Sequence, residues 1–183
     1  MRPTARLLTL AATAAAVALL LAACQSRPPA KDLPPLQLAP AVDLPRFMGD
    51  WYVIASIPTM FEKNAYGAVE SYRLDPDGSV ATTFSYRAGD FDGPLRTLRS
   101  RGFVLSPDNT VWGQQYVWPI RADYRISHVA DDYSQTVITR EKRDYAWILA
   151  RTPTIPEADL QRLIGLLGRQ GYDLEKLVRA PQR

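Results

Sequence analysis

The chain holds one histidine and one cysteine among 183 residues, and that scarcity bounds the chemistry it can do. His128 stands in a run of alternating apolar residues, with no orienting carboxylate or nucleophile at a spacing that would make it a base. It reads as a polar residue of a strand wall. No Gly-x-Ser-x-Gly elbow occurs, and no histidine and cysteine fall at metal-ligand spacing. The acids of Asp131-Asp132 and of Asp75-Pro76-Asp77-Gly78 sit in turn sequences, where aspartate hydrogen-bonds its own backbone. The second begins like a calcium loop but lacks the remaining ligands. The expectation is no catalytic residue, no metal and no cofactor. What remains is the cysteine, together with aromatic and arginine side chains suited to binding rather than turnover.

Cys24 has a particular setting. Arg2 and Arg6 precede an uncharged run from Leu7 to Leu21, and Leu21-Ala22-Ala23-Cys24 follows. Basic, then apolar, then small is the grammar of a secretory signal, and the run is short of the roughly 20 residues that a membrane span needs. With its cysteine, the segment resembles the lipobox of bacterial lipoproteins. That resemblance implies that residues 1–23 are removed and that Cys24 carries diacylglycerol as the first residue of the mature chain. Gln25 stands where an aspartate would mark retention in the inner membrane, so the implied location is the outer membrane, with the anchor on Cys24. Net charge falls from +3 to +1 when the two signal arginines leave. A nearly neutral surface argues against nucleic acid as a partner. No thiol is then left for a disulfide, although export would permit one, and stability must come from the core. Residues 24–41 are proline-rich and read as an extended tether; the folded domain is expected over 42–183.

From Trp51 the dominant period is two. Trp51, Val53, Ala55 and Ile57 share one face of the first strand. Tyr66 to Leu74 and Ser79 to Tyr86 form a hairpin about Asp75-Pro76-Asp77-Gly78. Leu95 to Leu105, Thr110 to Val117, Tyr124 to Val129, Ser134 to Arg140 and Tyr145 to Arg151 continue the pattern, with Pro119–Asp123 among the expected turns. About eight short strands predict an all-β sandwich or up-and-down barrel. One helix follows: Thr154 reads as its N-cap with Glu157 completing a capping box, Leu160, Leu163, Ile164 and Leu167 as its apolar stripe, and Gly171 as its stop. It should pack outside the sheet, and the segment from Asp173 to Val178 should turn back along it.

Three motifs then resemble one family. Gly49-Asp50-Trp51-Tyr52 resembles the Gly-x-Trp signature of lipocalins, Ala130-Asp131-Asp132-Tyr133 their second motif, and Asp144 to Pro153, with Arg151, the last barrel strand of bacterial lipoprotein lipocalins. Ala130 replaces the threonine common in the second motif. The resemblance spans about Leu44 to Val178 and implies an eight-stranded antiparallel up-and-down β-barrel with a C-terminal helix outside. It implies that Gly49, Trp51 and Arg151 form a structural plug at the closed end, with the guanidinium over the indole.

An eight-stranded barrel has room for one small ligand. Alternation places Phe84, Tyr86, Phe103, Tyr116, Trp118, Tyr124 and Trp147 on the inner face, on the condition that no one-residue slip reverses them. Such an apolar cup suits a fatty acid or lysophospholipid, and Arg99, Arg101, Arg121 and Arg125 are candidates to meet its carboxylate or phosphate. The resemblance implies carriage of such lipids in envelope maintenance, and a homodimer through loops or strand edges is compatible with it. Two other readings stay open: an isomerase or lipid-modifying enzyme using His128 or a tyrosine, and a filled barrel that recruits a protein partner.

Overall fold

A computed structural model describes residues 33–60 and 62–183; Cys24, the signal segment and the first half of the expected tether lie outside the described residues. The compact unit begins at Pro34. Residues 34–41 run along the barrel wall, where Ala39 is buried and its N–H donates to the Ile126 carbonyl (3.0 Å).

A short helix α1 (Leu44–Phe47) leads into nine strands: β1 (Gly49–Ile57), β2 (Ala65–Leu74), β3 (Val80–Ala88), β4 (Leu95–Val104), β5 (Val111–Val117), β6 (Ile120–Val129), β7 (Gln135–Thr139), β8 (Ala146–Ala150) and β9 (Val178–Arg179), with helix α2 (Glu157–Arg169) between the last two. Each strand from β1 to β7 pairs antiparallel with the next, and β1 also pairs with β8, so eight strands close into a barrel. The hairpin of β2 and β3 turns through Asp75–Ser79, where Gly78 takes φ +79° and its N–H donates to the Asp75 carbonyl (2.9 Å). No L side chain takes that φ without strain.

Two apolar clusters hold the molecule together. Inside the barrel, Phe47, Trp51, Val53, Tyr72, Trp112, Tyr124 and Ile126 pack over its closed end. Outside, Ile54, Ala55, Ile57, Val137 and Ile148 meet Leu160, Leu163 and Leu167 of α2. Each of those leucines contributes about 1.5–3 kcal/mol by its burial. Every residue of β7 is buried because one face lines the barrel and the other lies under the helix side.

Three local expectations are corrected. A bulge between Val53 and Ala55 turns Ala55 and Ile57 from the Trp51 face to the helix face; an extra residue shifts the period-two pattern by one. β6 starts at Ile120, so the turn before it is Trp118-Pro119 rather than Pro119–Asp123. Thr154 does not cap α2. Pro156 is the N-cap, with its carbonyl accepting from Asp159 N and Leu160 N, and no side chain caps the first turn. The far end follows the Schellman pattern: Gly171 at φ +85°, Tyr172 N donating to Leu167 O and Gly171 N to Gly168 O.

The chain's last residues complete the wall. β1 and β2 pair only from Gly49 to Tyr52, then part. β9 pairs with Ala55 and Ser56 in the gap, Gly67 N donates to Pro181 O (2.8 Å), and Gln182 Nε2 donates to the carbonyls of Val53 and Ala68 (2.9 Å each).

Candidate functional site

The closed end is sealed by a cation held in a ring of carbonyls. Trp51 is fully buried, and its Nε1 donates to Phe47 O (2.8 Å). The Arg151 guanidinium lies over the indole at 3.8 Å. Its Nη1 donates to Asp50 O (2.8 Å) and its Nη2 to the carbonyls of Arg46 and Met48 (2.8 Å each) and Phe47 (3.2 Å). These carbonyls close α1 and lead into β1, and a planar five-donor group satisfies several at once. Gly49, at φ +97°, lets Arg151 pass; a Cβ there would lie 3.3 Å from Nη1.

Above this plug lies a cavity of about 550 Å³ that opens at the other end. Its apolar wall includes Phe84, Leu98, Tyr116, Ala122, Tyr124 and Trp147. A second space of about 480 Å³ lies under the C-terminal tail, between Val53, Ala65 and Ala68 on one side and Val178–Pro181 on the other, and shares Phe84 and Glu62 with the first.

The polar lining is sparse and stratified. At the rim, Glu62 accepts from Trp147 Nε1 (2.9 Å) and Thr59 N (2.6 Å). Arg140 enters the wall at the end of β7, with its plane over Tyr145 (5.3 Å) and Nη1 3.5 Å from Asp144. Its buried Nε has no partner among the described residues. Deeper, Glu70 accepts from the Tyr72 hydroxyl (2.5 Å), which meets the Tyr124 hydroxyl at 2.6 Å. Burial pushes the Glu70 carboxyl up to about 7, partly offset by the Tyr72 bond. Burial, with the Glu70 charge nearby, likewise drives Tyr72 and Tyr124 well above the ordinary phenol range and Tyr116 up to about 12. All three phenols are neutral donors at physiological pH.

Of the residues that alternation assigned to the inner face, Phe84, Tyr116, Tyr124 and Trp147 line the cavity. Tyr86 packs on the barrel cluster with its ring 5.3 Å from Phe84. Phe103 and Trp118 do not face inward. Phe103 stacks under Arg121 (3.8 Å) on the outer wall, because Gly102 and Val104 take the inward positions of β4. Trp118 is 81% exposed at the tip of the β5–β6 hairpin, beyond the last paired residues. Among the four candidate arginines only Arg99 reaches the cavity. Arg101 binds Asp77 and Ser79, Arg125 binds Asp123 and Glu141, and Arg121 covers Phe103. His128 is absent from the cavity lining. Burial and Arg162 hold its imidazole below its usual range. Glu62, Glu70, Gln114 and Arg140 were not anticipated. Glu70 had a signal: it stands between Ala68 and Tyr72 on the inward register of β2, where a charge is out of place.

Residues 42–182 match the family described as lipocalin-like domain. Over 173 residues the chain is 28% identical to the outer membrane lipoprotein Blc of Escherichia coli strain K12, covering 94% of this chain and 96% of that one. It is 28% identical over 154 residues to temperature-induced lipocalin-1 of Arabidopsis thaliana, covering 80% and 83%. Among solved structures, insecticyanin of the tobacco hornworm Manduca sexta superposes with a TM-score of 0.62 at 14% identity, over 81% of this chain and 85% of that one.

Proposed function

The chain belongs to the lipocalin-like family, and from that premise we propose that it is an outer-membrane lipoprotein whose barrel binds a fatty acid or lysophospholipid without turnover. The observation that carries this reading is the cavity of about 550 Å³, walled by aromatic and aliphatic groups and sealed at its base by the Trp51–Arg151 plug. That volume lies in the range of small-ligand sites, and burial of an acyl chain is favourable at about 0.8 kcal/mol per methylene. Arg99 and Arg140, which line the cavity towards its open end, are suited to a carboxylate or phosphate head group.

Anchoring through an acylated Cys24 is supported by the lipobox-like sequence and by its relatives of the outer membrane lipoprotein Blc type. The described chain begins at the open end of the barrel, where Pro34 O accepts from Arg143 in the β7–β8 turn. The ten residues from Cys24 to Pro34 span at most about 36 Å, so this anchor keeps the mouth close to the bilayer that supplies its ligand.

Native mass spectrometry of the full chain purified from a bacterial envelope, followed by lipid extraction, tests the reading. The expected result is a fatty acid or lysophospholipid at one per barrel. An empty barrel that also ignores added acyl chains would overturn it.

A further inference from the structure

We propose that the floor of the cavity is a subsite for a hydrogen-bond donor, a hydroxyl or primary ammonium, carried by the buried end of the ligand, and that Glu70 reads it. The inference rests on the lipid-binding reading above and adds to it the chemistry of the end that enters first.

Glu70 stands low in the barrel. It pairs with Trp51 of the plug on one side and with Phe84 on the other. The direction of its hydrogen bonds fixes what the floor can offer. The Tyr72 hydroxyl spends its one proton on Glu70, so Tyr124 must donate to the Tyr72 oxygen. Both phenolic protons therefore point along the chain of bonds toward the carboxylate, and neither is left for a ligand. Glu70 Oε1 makes no hydrogen bond among the described residues. A short distance around the wall, Gln114 Nε2 donates to Thr82 Oγ1 (2.9 Å), which orients the amide. Its Oε1 is then buried without a partner among the described residues. That oxygen sits against Gly102, where a Cβ would come within 2.8 Å of it, so the amide closes the floor beside Glu70 without offering the cavity an acceptor.

Above about pH 7, where Glu70 is ionised, the floor thus presents the acceptor Oε1 and no donor. An apolar chain end leaves that acceptor unsatisfied, and a buried carboxylate meets its charge with no donor to share. A hydroxyl gives it one proton, and an ammonium also matches its charge. The anionic end of a ligand, if it has one, belongs at the rim with Arg140. Long-chain hydroxy acids, amino acids of the same shape, and long-chain alcohols or amines entering polar end first share this chemistry.

The test is calorimetry on the full chain, stripped of endogenous lipid, with palmitate, ω-hydroxypalmitate, ω-aminopalmitate and ω-methoxypalmitate. The methoxy compound matches the hydroxy acid in size and lacks only the donor. The expected result is that the hydroxy or amino acid binds on the order of tenfold more tightly than the methoxy compound. Whichever of the two gains more identifies the donor. At a pH above about 7, Glu70→Leu should bring the ratio close to one, and Glu70→Gln should retain part of it. Equal binding of hydroxy, amino and methoxy compounds overturns the inference. So does a preference unmoved in Glu70→Leu. If palmitate binds while the donor gives no advantage, only this inference fails; if none of the four binds, the lipid-binding reading fails with it.

Discussion

At the scale of single residues, the best-matched motif and the candidate binding residues do different work. Arg151 neutralises four carbonyls and caps Trp51, so it belongs to stability. Arg151→Ala should lower stability by about 1–2 kcal/mol from the stacked cation alone, read as a lower melting temperature, while acyl-chain affinity in the surviving fold is unchanged. Facing decides the binding residues. Phe84→Ala should weaken fatty acid binding, whereas Phe103→Ala and Trp118→Ala should leave it unaltered; a competition titration separates the two outcomes. Glu70 makes the fold sensitive to pH. Its carboxyl moves from an ordinary value of 4.5 to about 7 on burial, so the native state holds a proton that the unfolded chain has lost. The associated stability is fully present below about 4.5 and lost as pH rises through about 7. His128, held below its usual range, acts in the opposite sense. The expected observation is therefore a comparison: Glu70→Gln raises the melting temperature more at pH 8 than at pH 5.

Among the elements, β1 and its neighbours carry most of the design. The bulge at Val53–Ala55 lets one strand serve both clusters, with Trp51 and Val53 inside and Ala55 and Ile57 under the helix. The same strand then leaves β2, and the C-terminal tail takes the vacated place. Deleting residues 178–183 should lower the melting temperature and speed amide exchange at Gly67, whose N–H loses its Pro181 acceptor. An exchange rate at Gly67 that does not change would show that the tail adds no wall. Helix α2 depends on its exit. Gly171→Ala forces an L side chain to φ +85° and should cost about 1 kcal/mol, measurable by denaturant unfolding with an unchanged slope.

For the whole molecule, the charges and openings are arranged along one axis. The sealed end holds Arg151 in carbonyls, the middle is apolar with Glu70 near its base, and the open end carries Arg99 and Arg140 with exposed Met60, Val117, Trp118 and Ile120. The first described residues lie at that open end as well. Cys24→Ser should move the protein from the membrane fraction to the soluble one, assayed by fractionation and immunoblot. Retention in the membrane would remove the anchor from the proposed function.

Period-two runs, turn residues and one amphipathic stripe were enough to determine about eight antiparallel strands in a sandwich or barrel with a helix outside, because strand and helix periods and the φ demands of Gly78 and Gly171 are local properties; the choice of the barrel came from the lipocalin motifs. The pairing of Gly49 and Trp51 with Arg151, about a hundred residues on, was legible as a motif, since three specific residue types recur together. The interior was only half legible. A single extra residue in β1 reversed the facing of Ala55 and Ile57, and Trp118 fell beyond the end of its ladder. Neither leaves a mark in hydropathy, because both depend on how neighbouring strands pair. The polar groups that give the cavity its character come from four separate segments: Glu62 before β2, Glu70 in β2, Gln114 in β5 and Arg140 after β7. Closure of the barrel alone brings them around one space, and burial in that space alone moves the Glu70 carboxyl to about 7.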